Sequence, residues 1–268
     1  MASPLAWLRM LIAGQDAHQP APSTRQHLAM DALPTAIYAI GDIHGCLAQL
    51  QDLEAQIYAE AEAWPGEKWL VYLGDYIDRG PRSAAVLDHL LARPPTSFRR
   101  ICLAGNHEVM ALAFFERPVS HSRWLEFGGL ETLQSYGIPS DRISRCSDRE
   151  LRAIVDSYIP REHIGLLRSL PASLQAPGYV FVHAGLRPGV PITNQSEDDL
   201  FWIRDEFFDA APANDYVVVH GHTPNTNPVV APGRFGIDTG AYATGTLTAL
   251  RIRAGGTPAF LSATIASI

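Results

Sequence analysis

Five short glycine-flanked motifs, each following an apolar run of strand character, constrain this chain more than any other feature. They are Gly41-Asp42-Ile43-His44-Gly45, Gly74-Asp75-Tyr76-Ile77-Asp78-Arg79-Gly80, Gly105-Asn106-His107-Glu108, His183-Ala184-Gly185 and His220-Gly221-His222-Thr223. Their non-glycine members are almost all metal-ligand or acid-base side chains. Isolated strands can end in loops without two Asp, an Asn and several His collecting there, so the economical reading is one shared site at the strand ends.

The runs Ala36 to Ile40, Trp69 to Leu73, Ile101 to Ala104, Tyr179 to Val182 and Tyr216 to Val219 are rich in β-branched or aromatic residues and predict buried strands. Leu47 to Ala63 and Ser83 to Leu91 carry apolar residues at helical spacing, which gives a β-α-β-α-β opening and a largely parallel sheet. The first three motifs then fall at the carboxyl ends of neighbouring strands. From Glu108 to Leu170 the spacing predicts a helical insertion beside the active face, broken at Pro118, Gly128-Gly129, Pro139 and Pro160. Its aromatics Phe114, Phe115, Trp124, Phe127 and Tyr136 read as core, since they recur on helix faces. Arg234 to Asp238, Thr246 to Ile252 and Ala259 to Ala263 predict strands of a second sheet.

The length of 268 residues, with motifs through most of it, favours a single domain over residues 33–268, preceded by an extension, 1–32. In that extension Leu5 to Ala13 could form a short amphipathic helix, and the polar stretch Gln15 to Arg25 reads as a linker. Leu5 to Ala13 is too short to span a bilayer, and no transmembrane segment is expected. A net charge of -7 gives no footprint for nucleic acid. Three cysteines without paired spacing, Cys46, Cys102 and Cys146, differ from a secreted disulfide framework and suggest a reduced, cytoplasmic setting. Cys46 reads as a small residue opening a helix.

The motif series, in this order from Ile37 to Leu250, resembles the phosphoprotein phosphatase family of dinuclear, calcineurin-like metallophosphoesterases. The resemblance implies an α/β fold, a sandwich of two mixed β-sheets flanked by helices with two metals at one edge. It implies that Asp42 and His44 bind the first metal, that Asp75 bridges, and that Asn106, His183 and His222 complete the second. His220 is the alternative to His222. Pro224 stands where a broader class carries a further His, which favours the phosphoprotein phosphatase branch. Oxygen and imidazole donors without thiolate suit two divalent transition-metal ions, Mn²⁺ first, with Fe or Zn²⁺ as alternatives.

The resemblance further implies direct attack on phosphorus by a metal-activated water, with His107 as general acid assisted by Asp78. Arg79, Asn106, Arg204 and Arg187 are expected to bind substrate phosphate. Asp238 is expected to orient an imidazole or to cap a turn. The implied activity is phosphomonoester hydrolysis, with a phosphoserine or phosphothreonine protein, or a phosphorylated small molecule, as substrate. Symmetrical hydrolysis of dinucleoside polyphosphates is the alternative, and a noncatalytic phosphate-binding protein is a further one, against which the complete set of motifs stands.

Overall fold

The computed structural model describes residues 23–210 and 215–265. The expected helix at Leu5 to Ala13 lies outside them. Two β-sheets face each other, one of five strands and one of six. The five-stranded sheet runs β11-β10-β2-β3-β4, built from β2 (Ala36–Ile40), β3 (Lys68–Tyr72), β4 (Phe98–Cys102), β10 (Thr246–Ile252) and β11 (Ala259–Thr264). Strands β2, β3 and β4 are parallel in the register Ile40 to Tyr72 to Cys102, so the three loops that follow them open at one edge. Helices α1 (Leu47–Ala61) and α2 (Ser83–Leu91) form the crossovers.

The six-stranded sheet runs β1-β5-β6-β7-β9-β8, from β1 (His27–Ala29), β5 (Ser173–Ala176), β6 (Tyr179–Val182), β7 (Val217–His220), β8 (Val229–Ala231) and β9 (Arg234–Gly236). β6 and β7 are parallel and lead into His183 and His222, one and two residues past their ends, so this sheet delivers the last two motifs to the same edge.

Alternation along β2 explains why both of its faces are buried. Ile37 and Ala39 point into the layer between the sheets, with Val71, Leu73, Phe181, Val219, Leu250 and Ile252. Tyr38 and Ile40 point outward beneath the helices, with Leu50, Leu53, Leu70 and Tyr72.

Two expectations need correction. The last strands do not make a second sheet together: Arg234–Gly236 joins β7, whereas Thr246–Ile252 and Ala259–Thr264 extend the first sheet antiparallel to β2. The chain also enters the fold before residue 33. β1 pairs in parallel with β5, His27 Nδ1 lies 2.8 Å from Ser173 Oγ, and Arg25 donates to Leu170 O at 3.0 Å. Three residues of mixed polarity carry no periodic signal, and only long-range pairing makes them a strand.

Between β4 and β5 the expected insertion is helical: Asn106–Glu116, Leu130–Ser135, Ser140–Ile143, Asp148–Tyr158 and Arg161–Ser169. Gly128 breaks it as expected: its φ of 108° and ψ of 6° lie outside the helical region and kink the chain between the turn at Leu125–Gly129 and the helix Leu130–Ser135. No helix among the described residues is long and apolar enough to cross a membrane. Cys46 opens α1 as expected, with its thiol buried, which pushes its pKa up to about 11 and keeps it protonated.

A buried polar cluster ties α1, α2, β3 and β4 together. Glu54, 3% exposed, accepts from Tyr58 Oη at 2.8 Å, from His89 Nε2 at 2.9 Å, from Tyr72 Oη, and from Arg100 at 3.5 Å. Burial works to raise its pKa, and the hydrogen bonds from His89 and Tyr72 outweigh it, so the carboxyl titrates below its ordinary value of 4.5. Glu54→Leu should destabilise the fold by about 3 kcal/mol, since it strands a buried guanidinium and its neighbours without an anion. The folded pKa is depressed, so this stabilisation is present above the unfolded-state value of 4.5 and is lost as pH falls through the lower folded value. Urea midpoints of both proteins should differ most at neutral pH and converge on acidification. A gap that is constant down through that range counts against Glu54 as a buried anion.

Candidate active site

Five non-glycine residues among those described have left-handed backbone, and all are in the motifs: His44 (φ 46°), Asp75 (53°), Asp78 (72°), Arg79 (66°) and His222 (66°). Each such conformation costs on the order of 1 to 3 kcal/mol and persists where surrounding contacts over-determine it. The strained residues are the turns that aim side chains inward from the strand ends. Their concentration at one edge marks the site independently of side-chain chemistry.

Two overlapping groups of donors meet there, His44 with Asp75 and His107, and Asp75 with His183 and His222. Asp75 belongs to both. Its Oδ2 lies 3.5 Å from His44 Nε2 and 3.9 Å from His107 Nε2, and its Oδ1 lies 3.5 Å from His183 Nε2. Gly105 makes room for this carboxylate, because a Cβ there would fall 2.3 Å from Asp75 Oδ1.

The ring tautomers are fixed by carbonyl groups that can only accept. His44 Nδ1 donates to Ile77 O at 2.8 Å and His183 Nδ1 donates to Leu73 O at 2.9 Å. Burial holds His44 down at about 3 and His183 below its ordinary range, so both rings are neutral near pH 7. Their Nε2 lone pairs therefore face Asp75 oxygens, and His183 Nε2 also faces Asn106 Oδ1 at 2.8 Å. His222 Nδ1 lies 3.0 Å from the same Asn106 Oδ1, while its buried Nε2 has no partner. Acceptors converging on acceptors without an intervening proton repel one another, and a cation between them removes the conflict. The donor set is Asp, His and Asn without thiolate, so these residues fit divalent transition-metal ions.

The surrounding acids point the same way. Burial, then Asp238 and Asp75, raise Asp42 well above the carboxylate range. Burial raises Asp238 to about 6 and Glu108 to about 8. Such a concentration of buried carboxylates is eased by bound positive charge. Arg79 provides some already: its guanidinium donates to His44 Nε2 at 3.1 Å and lies 3.1 Å from His107 Nε2, with the ring of Tyr242 at 4.8 Å from its Cζ.

His107 and Asp78 form a close pair, Nδ1 to Oδ2 at 2.6 Å. Burial opposes the imidazolium, and Asp75 together with the bond to Asp78 outweighs it, so His107 titrates above its ordinary value.

Other expected residues are placed differently. Asp42 falls in neither donor group: its carboxylate accepts from His222 N at 3.0 Å, drawn to that N–H and repelled by Asp75. Asp238 accepts from Gly240 N at 2.8 Å, and no imidazole among the described residues bonds to it, so it caps a turn. Arg187 is bound through Nε at 2.7 Å and Nη2 at 2.6 Å to Asp199, which also accepts from Ser196 Oγ at 2.7 Å. That ion pair engages Nε and Nη2, two of the three guanidinium nitrogens, and offsets the charge expected to reach phosphate. Arg204 is exposed, with Nη2 3.5 Å from His222 O, at the rim. His220 points away from both donor groups, between Phe207 and Phe208, with burial lowering it to about 4.

Three contributors escape motif reading. Glu108 accepts from Asp75 N and Tyr76 N, both at 2.8 Å, and from Gly105 N at 3.0 Å, stitching the second motif to the third. Trp124 and Thr132, from the insertion, donate to Asp78. Glu108 stands inside a quoted motif and could have been flagged as the acid of a helix first turn.

A family model described as calcineurin-like phosphoesterase matches residues 35–251. The chain belongs to that family. Among curated relatives of this phosphoesterase, a symmetrical bis(5'-nucleosyl)-tetraphosphatase of Janthinobacterium sp. (strain Marseille) is 34% identical over 56% of the chain and 44% of its own length, less than half of that relative. The asymmetrical tetraphosphatase PrpE of Bacillus cereus is 27% identical over 79% of the chain and 88% of its own length. Serine/threonine-protein phosphatase 2 of Salmonella typhimurium is 26% identical over 81% and 93%. A crystal structure assigned as a candidate diadenosine tetraphosphatase superposes with a TM-score of 0.62 at 22% identity, covering 89% of this chain and 98% of that one, which bears on fold alone. The α/β sandwich of two mixed sheets and the phosphoprotein phosphatase resemblance are thereby supported together.

Proposed function

We propose that this metallophosphoesterase hydrolyses phosphomonoesters of alcohols, as a serine/threonine protein phosphatase. The observation that carries the reading is the buried His107–Asp78 pair. A serine or threonine alkoxide is a poor leaving group and needs a proton as the P–O bond breaks, whereas a departing nucleoside phosphate is already a stable anion. Building a buried acid pair beside the Asp75 cluster is of most use to the first kind of substrate.

In this reading Asp42 and His44 would hold one cation, Asn106, His183 and His222 would hold the other, and Asp75 would serve both. When bound, two such cations supply Lewis acidity and a water acidic enough to attack phosphorus at neutral pH. Arg79 presents its forked N–H groups to the phosphoryl oxygens, its plane backed by Tyr242. His107 delivers a proton from Nε2 while Asp78 keeps the ring oriented and stabilises its charged form. Arg204 at the rim is available to a second phosphoryl oxygen.

Hydrolysis of dinucleoside tetraphosphates is the second reading, favoured by the names of the relatives from Janthinobacterium and Bacillus. Against it stands Arg187, whose charge is offset by its ion pair with Asp199, leaving less net positive charge for a chain of four phosphates. Protein stripped by chelation and reloaded with Mn²⁺ should turn over phosphoserine and phosphothreonine peptides with a higher kcat/KM than diadenosine tetraphosphate. Mg²⁺ should restore less activity than Mn²⁺, because imidazole donors suit the latter. The reverse substrate order establishes the second reading. Full activity after verified metal removal excludes both.

A further inference from the structure

Trp124 reaches the site from outside all five motifs. It immediately precedes Leu125–Gly129, the turn kinked at Gly128, and is 2% exposed. Its indole is confined by Phe114, with ring centroids 4.7 Å apart, by Phe115 at 5.5 Å, and by Gly129, where a Cβ would fall 2.5 Å from indole Cδ2. A ring so held can direct its single polar atom only one way: Nε1 donates to Asp78 Oδ2 at 2.7 Å. This is the oxygen that accepts from His107 Nδ1.

The other carboxylate oxygen is fixed by the same segment. Thr132 Oγ1, 1% exposed, donates to Asp78 Oδ1 at 2.6 Å and accepts from Asp78 N at 2.8 Å. Between Trp124 and Thr132, Gly128 sits at φ 108° with its carbonyl accepting from Arg79 N at 3.3 Å. A Cβ on Gly128 would lie 2.5 Å from that nitrogen, so only glycine lets the insertion press this closely on Arg79.

We propose that Trp124 is a positioning residue for the His107–Asp78 pair, locking the carboxylate through its indole N–H so that the helical insertion sets the geometry of the acid. The torsion that turns an aspartate carboxylate is broad and roughly two-fold, so a single bond to His107 leaves it free to swing. Donors on both oxygens remove that freedom. An indole N–H can only donate, so the shared oxygen must remain an acceptor, which keeps the imidazole proton on Nδ1 and turns Nε2 toward the Asp75 side. The assignment rests on the reading of His107 and Asp78 as the acid pair.

Trp124→Phe keeps an aromatic ring against Phe114 and Phe115 and deletes the donor together with the pyrrole edge that carries it. On a phosphoserine peptide its kcat should fall about 10-fold, the scale of one hydrogen bond to a charged group, with KM changed less than about 2-fold. Metal content should be unchanged and an activated aryl phosphate should lose less. In an Asp78→Asn background the same substitution should cost little more, because both changes act through one carboxylate. Full multiplication of the two losses overturns the proposal, as does an unchanged kcat. Equal slowing of all substrates with a lowered Tm assigns Trp124 to packing and overturns it too. His107→Asn measured alongside separates the levels. If that variant slows every substrate equally, the acid reading falls, while coupling between positions 124 and 78 still decides whether Trp124 acts through Asp78.

Discussion

Asp75→Asn should lose both cations together and lower turnover by roughly 10³-fold or more, since two-metal clamping contributes several kcal/mol of transition-state stabilisation. Asp75 is the one acid common to both donor groups, with one oxygen facing His183 and the other facing His44 and His107. The amide retains shape but lowers the charge and replaces one oxygen by a donor, so it cannot serve both groups as an anion. Asn also tolerates the left-handed backbone found here, φ 53°, so the fold should survive and the loss should not be one of folding. Metal per chain, kcat and Tm measured on the same preparation decide the matter. Two bound cations with wild-type turnover would remove Asp75 from the role of bridge. One cation retained at full occupancy would show that the two groups fill independently.

The legibility of this fold in its sequence follows the range of the interactions involved. β2, α2 and β6 are readable because their burial pattern is local: Ala36–Ile40 is apolar on both faces, and Ser83–Leu91 buries Val86, Leu87 and Leu90 on one. The membership of the late strands is not local. Thr246–Ile252 has the same strand character whether it pairs with β9 or with β2, and the choice depends on register across some two hundred residues of chain. β1 and β8 are three residues each, too short for any period to register.

The site was legible in part for a different reason. His44, Asp75, Asn106, His183 and His222 lie beside glycines that mark tight turns, and the structure brings these five together. What proximity in sequence could not reveal is where a side chain spends its hydrogen bonds. Arg187 follows the fourth motif closely, yet it is ion-paired to Asp199, an acid that also serves the first turn of the helix Glu197–Trp202. Trp124 belongs with the core aromatics by periodicity and by burial, as expected, and its N–H is nonetheless part of the site. That direction depends on the kink at Gly128, φ 108°, where composition shows a break but not its geometry.

His107→Asn separates acid catalysis from cation binding. It should keep its metals and lower turnover on phosphoserine peptides by roughly 10² to 10⁴-fold, the usual contribution of a general acid. Asn preserves a polar side chain at the start of the helix Asn106–Glu116, and the backbone N–H of residue 107 can still donate to Asp75 Oδ1, a bond of 3.1 Å in the native chain. The cation cluster therefore retains its second-motif contact while the proton donor is gone. An activated aryl phosphate should lose far less, because its leaving group needs little protonation, so the deficit should rise with leaving-group pKa. Arg79→Ala, by contrast, removes phosphate contacts shared by all substrates and should penalise them alike. If His107→Asn holds both metals and slows every substrate to the same degree, His107 is not the acid. Its bond to Asp78 and its contact with Arg79 would then be understood as holding that guanidinium in place over the Asp75 cluster.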